Sequence, residues 1–189
     1  MSRRNLMQTV GAVAACVFLS GCMSKMTIEE MKAHMPKRPV ELDRLNAMVG
    51  TWEHEGVAKF SCLDQALKTS GRTECKWEGN GWYLLSNCDM KMENFDDTKM
   101  CEMWTYDIRA KKYRSSWADS MGMMGSGEST YDPITGTWHM TATNHTPWGR
   151  SVLKGKMRFL DDNTTEWSMT ETMGLQKVLE MSGKSKRVK

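Results

Sequence analysis

Four cysteines, one histidine in a strand-like run and an excess of methionine are the residues of this chain whose chemistry invites a function. Cys62, Cys75, Cys88 and Cys101 follow one another at intervals of 13 residues, and 19 of the 189 residues are methionine. Four thiols can close two disulfides or hold zinc tetrahedrally, but none of these belongs to a Cys-x-x-Cys pair, so disulfides are expected. Three connectivities are open; coupling of chain neighbours points to Cys62 with Cys75 and Cys88 with Cys101. The thioethers of Met121, Met123 and Met124, set among glycines, have the close spacing that soft Cu(I) sites use. The rival reading is that methionine fills an irregular interior, and Met90 and Met92 fit it by sharing parity with Leu84 and Cys88. An inward His54 is a candidate haem or metal ligand, although no second histidine shares its strand face.

The compartment decides between these chemistries. Arg3 and Arg4 precede an apolar run from Val10 to Leu19, which ends in Leu19-Ser20-Gly21-Cys22. A charged start, an apolar run too short to span a bilayer and small residues before a cleavage site make a secretory signal. Leu-Ser-Gly-Cys further resembles the lipobox of bacterial lipoproteins, which makes Cys22 the acylated first residue of the mature protein. Residues 1–21 are thus expected to be a signal peptide and residues 22–39, polar and ending in Pro36 and Pro39, a tether. Export to the periplasmic side favours disulfides over zinc and makes copper handling chemically sensible.

The elements that must position these residues show a clear pattern. Leu42, Leu45 and Val49 recur at helical spacing before Gly50, predicting a short entry helix. From Trp52 to Phe60 the period changes to two, and His54 falls on the apolar side with Trp52. Similar runs follow at about 72–79, 82–92, 99–107, 112–118, 126–131, 136–143, 149–159, 163–172 and 175–182, separated by turn signals such as Gly79-Asn80-Gly81 and Asp132-Pro133. Leu63, Ala66 and Leu67 suggest one interrupting helix within residues 61–70. Some ten short strands with tight links predict an all-β, antiparallel up-and-down barrel over residues 40–183, since closure is the simplest way to remove open edges.

Several function classes drop out. The chain has no Gly-x-Ser-x-Gly elbow, no His-Glu-x-x-His and no phosphate-cradling glycine loop, so no enzyme is expected. Asp119 and Ser120 cannot both join His54, because adjacent strand residues face opposite sides. The net charge is +3, and the basic excess gathers in Lys184, Lys186, Arg187 and Lys189. Residues 184–189 therefore read as a solvated basic tail, and no nucleic-acid groove is indicated.

Gly50-Thr51-Trp52-Glu53 with Gly56, Tyr106-Asp107, Lys112-Tyr113, Trp117-Ala118-Asp119-Ser120, Gly127 and Tyr131-Asp132 resemble the bacterial domain of unknown function 1579. The resemblance implies a calycin-like barrel, related in shape to lipocalins and fatty-acid-binding proteins, in which Trp52 closes one end. It implies no activity. His54 departs from the pattern, where glycine is more typical, and so do the four cysteines and many methionines. The expectation is a membrane-anchored, periplasm-facing barrel that binds a small apolar ligand against Trp52, His54, Trp77, Trp82 and methionines, with no resident cofactor. A haem or Cu(I) carrier and a structural lipoprotein with a filled barrel are the alternatives.

Overall fold

Alternation of inward and outward side chains runs through ten strands that close on themselves. The computed structural model describes residues 27–188, so the expected leader and Cys22 lie outside the described residues. The strands are β1 (Gly50–Phe60), β2 (Leu67–Glu78), β3 (Tyr83–Met92), β4 (Thr98–Asp107) and β5 (Lys112–Asp119), then β6 (Met124–Asp132), β7 (Thr137–Thr146), β8 (Gly149–Asp161), β9 (Thr164–Met173) and β10 (Gln176–Arg187). Each pairs with its sequence neighbours and β10 returns to β1, giving a closed antiparallel up-and-down barrel. Trp52 stands opposite Arg187 and Phe60 opposite Leu179 along the closing seam. Closure leaves no unpaired strand edge.

The N-terminal unit, up to Lys37, contains one short helix among the described residues, α1 (Ile28–Ala33). Its start is fixed by a capping box: Glu30 N donates to Thr27 Oγ1 and Thr27 N donates 2.7 Å to Glu30 Oε2. It buries no residue.

One end of the barrel is plugged. The predicted entry helix forms, but as a 3-10 helix over Val40–Met48. Leu42, Leu45 and Met48 recur every third residue, which stacks them on one face at three residues per turn, and all three are buried. They pack with Cys75, Leu84, Tyr113 and Trp138. Polar contacts hold the plug from several strands: Tyr113 Oη donates 2.8 Å to Glu41 O, Trp77 Nε1 donates 2.7 Å to Asn46 Oδ1, and Trp52 Nε1 donates 2.8 Å to Met48 O.

Three expectations are corrected. No helix interrupts the strands within residues 61–70: β2 already starts at Leu67, and Leu67 and Thr69 are buried on its inner face. The six residues left between β1 and β2 form only turns and bends. Nor do residues 184–187 form a tail, because β10 continues through them and Lys184 and Lys186 pair across to β1. The four cysteines are all free. Cys88 is buried inside while Cys101, on the outward parity of the next strand, is exposed; Cys62 sits in the exposed β1–β2 loop, and Cys75 lies buried against the plug. Thiols on opposite faces or at opposite ends of a strand cannot reach disulfide geometry.

Candidate functional site

Inward side chains differ in exposure along the whole barrel. Near the plug, Leu84 is fully buried and Tyr113 and Trp138 stack edge-on at 4.7 Å, while Trp104, Tyr106 and Tyr131 beside them are half-buried. Midway up and toward the opposite end, inward Glu102, Trp117, Met140, Trp167, Met169 and Glu171 keep part of their surface accessible, although they point away from bulk solvent. These side chains face the barrel axis between the plug and the unplugged end. Inward glycines make the room: the Trp117 ring occupies the place of a Cβ at Gly125, and the Trp167 ring lies 2.7 Å from that of a Cβ at Gly183. Both indoles are thereby drawn against the wall.

The mouth is apolar at its tips. Leu63, Phe95, Met121, Trp148 and Leu175 are exposed, one on each of the five loops at this end. Phe95 stacks on Phe60 at 6.3 Å. A groove of about 670 Å³ crosses the rim over β1–β3, with Lys91 Nζ 3.5 Å from Asp97 Oδ2 on its border. Its walls carry charges of both signs and it opens widely, so it encloses a small ligand poorly.

Polar groups stand on the inward face at definite places. On β4, Glu102 stands between Ser86 and Trp117 in the register. Burial raises its pKa to about 7, with the Trp104 and Ser115 side chains opposing the shift. Ser115 Oγ nevertheless lacks a well-formed hydrogen bond, as do Ser129 Oγ and Asn144 Oδ1, all three buried. Across the barrel on β9, Glu171 accepts from Ser151 Oγ and, at 3.3 Å, from Asn144 Nδ2.

His54 points inward with both ring nitrogens engaged. Nδ1 is 2.7 Å from Ser185 Oγ and Nε2 is 2.6 Å from Thr73 Oγ1. Burial lowers its pKa, so the neutral ring is favoured. A ring held by two hydroxyls offers no free nitrogen to haem iron. The methionine loop does not fit copper either. Met123 reaches inward, its sulfur accepting from Asn144 Nδ2 at 3.9 Å, while Met121 and Met124 are exposed and Met124 occupies the outward parity of β6. Among the described residues no group of three or more His, Cys, Asp and Glu side chains is placed to hold a metal ion.

The tryptophans singled out from the sequence sit at the plug. Trp52 is buried there, edge-on to Phe159 at 5.9 Å. Trp77 carries the Arg38 guanidinium at 5.1 Å, and Trp82 packs on the plug cluster. The inward face beyond the plug carries instead Glu102, Trp117, Asn144, Trp167 and Glu171. A signal for them exists in the sequence: Glu102 shares parity with Met100 and Trp104, and Glu171 with Met169 and Met173, so each carboxylate interrupts an apolar row. Asp119 ends β5 by accepting from Met121 N at 2.9 Å and Met123 N at 3.0 Å.

The model of a family described as "Protein of unknown function (DUF1579)" matches residues 40–187. No curated protein sequence matches the chain. Among solved structures, Rv2717c from M. tuberculosis is similar at 12% identity and a TM-score of 0.64, over 81% of this chain and 100% of that one. The S-type phycobiliprotein lyase CPES from Guillardia theta is similar at 11% identity and a TM-score of 0.54, over 87% of this chain and 99% of that one. At such identities the likeness is one of fold.

Proposed function

This chain belongs to the family of proteins of unknown function DUF1579, and from that premise, which supplies a barrel and no reaction, we propose a binding protein that holds a small, largely apolar ligand in its lumen. The observation that carries this reading is that large inward side chains beyond the plug, Trp117, Trp167 and Met169 among them, stay only half-buried although they face the barrel axis. A barrel filled throughout by its own side chains would bury such residues fully. Glycines at 125 and 183 instead leave the Trp117 and Trp167 rings lying on the wall, and the apolar mouth gives such a ligand a favourable entry. In the same reading Leu-Ser-Gly-Cys at 19–22 anchors the barrel to a membrane through Cys22, with the barrel facing the periplasm.

Native mass spectrometry of the full-length protein taken from the envelope of its own cells tests both parts. The expected result is a diacylglyceryl-type mass addition at Cys22 together with a non-covalent small molecule lost on denaturation. A mature chain without the lipid overturns the anchor. A chain that never retains a small molecule, and also takes up no apolar dye when purified, overturns the binding reading.

A further inference from the structure

The lumen carries acidic groups and acceptors, but its only cationic side chain is committed elsewhere. Along the inward rows of the ten strands, the acidic residues are Glu102, Asp119 and Glu171. The single inward Lys or Arg is Arg187, at the plug, where it donates to Ala47 O and Val49 O. β4 and β9 are diametrically opposed in the ring, so Glu102 and Glu171 approach the lumen from opposite walls, Glu171 nearer the mouth. An acidic pair alone would be unremarkable. Here Asn144 Oδ1 beside Glu171 is buried to 4% exposure and lacks a partner, and Ser115 Oγ, buried to 3%, faces Glu102 without a well-formed hydrogen bond. Buried polar atoms are rarely left unpaired, and each of these can accept a hydrogen bond. Beside the acceptors lies the Trp117 ring, directly across from Glu102 in the register, a surface that attracts cations. The methionines of the wall add a soft, adaptable lining.

Resting on the reading that the lumen is a ligand site, we infer that its ligand class is the organic cation with an apolar body: an amine or guanidine whose N–H groups donate to Glu102, Ser115 and the Asn144–Glu171 pair. A carboxylate ligand would meet like charge without a counter-cation, and a neutral alcohol would leave most acceptors unpaired.

Three ligands of equal chain length separate the possibilities: decylammonium, decanol and decanoate, titrated into the full-length protein at about pH 8, where Glu102 is ionised, and followed by tryptophan fluorescence. The inference expects decylammonium to bind at least about tenfold more tightly than either other ligand. Glu102→Gln and, separately, Glu171→Gln should each remove most of that preference while leaving decanol affinity within about twofold. Two variants on opposite walls keep the test sound if one fails to fold. Equal affinity for the three, or a preference for decanoate, overturns the cation and spares the ligand-binding reading. Failure of all three to bind overturns both.

Discussion

The Arg187 guanidinium lies over the Trp52 ring, its carbon 4.3 Å from the ring centre, and joins the last strand to the first across the closing seam. The same group donates to Val49 O and, at 2.7 Å, to Ala47 O, so it also ties down the end of the 3-10 helix. One side chain thus holds seam and plug together, and it belongs to a stretch whose composition reads as a tail.

Removing this tie should be costly. Arg187→Ala leaves three carbonyls, those of Ala47, Val49 and Asp162, and an indole face without their partner, and is expected to lower the unfolding free energy by about 2–4 kcal/mol in urea denaturation. Arg187→Lys, which cannot fork to two carbonyls, should recover less than half of the loss. A loss below about 0.5 kcal/mol would mean that the plug is held without it.

Glu102 makes stability depend on pH in an unusual direction. Its pKa rises on folding from 4.5 to about 7, chiefly through burial, so the folded state resists the charged form. The penalty is absent below the unfolded value, grows as pH rises between the two values and is complete above the folded one. Glu102→Gln should therefore stabilise the protein at about pH 8 by on the order of 2 kcal/mol, allowing for some solvation from the lumen, and change nothing below about pH 4. Denaturation curves of both proteins across this range are the check, and a gain that persists at low pH would contradict the assignment.

His54 acts in the opposite sense. Burial lowers its pKa below 6.5, so the folded state prefers the neutral ring. The stability it confers is present above pH 6.5 and is lost as pH falls through the folded value. His54→Gln retains a hydrogen-bonding group without that titration, and its stability should fall less steeply than the parent's as pH drops below about 6. Added haem should give no absorption band that disappears in His54→Ala.

The cysteines should divide by exposure. Cys62 and Cys101 are exposed, whereas Cys75 and Cys88 are buried with their thiol pKa values raised, mainly by burial. Mass-mapped alkylation of the native protein should modify Cys62 and Cys101 quickly, and Cys75 and Cys88 only on unfolding. A Cys62–Cys75 or Cys88–Cys101 bridge in non-reduced peptides would contradict the fold.

How far the sequence revealed this molecule follows from what alternation encodes. Period two reports which face a residue occupies, and it placed Trp52 and His54 inward. Turn residues marked most hairpins, so the barrel was legible. Height along the barrel axis has no such code. Trp77, Trp82 and Trp117 look alike as inward tryptophans, yet the first two adjoin the Gly79–Gly81 turn at the plug while Trp117 faces the lumen. The start of β2 was obscured because Leu63, Ala66 and Leu67 mimic a helical stripe across a loop boundary. The end of β10 was obscured because its outward Lys184 and Lys186 look like the beginning of a solvated tail. Glu102 and Glu171 were overlooked among apolar neighbours, although a charge on the inward parity is the sequence signature of a lined lumen.

The most direct test of a ligand-binding lumen is the movement of indole N–H resonances when decylammonium is added to isotope-labelled protein. Trp117 and Trp167 should shift in a saturable manner, while Trp52 and Trp77, hydrogen-bonded to the plug, should stay in place. Saturable binding that leaves Trp117 and Trp167 unmoved would place the ligand outside the barrel and contradict the account.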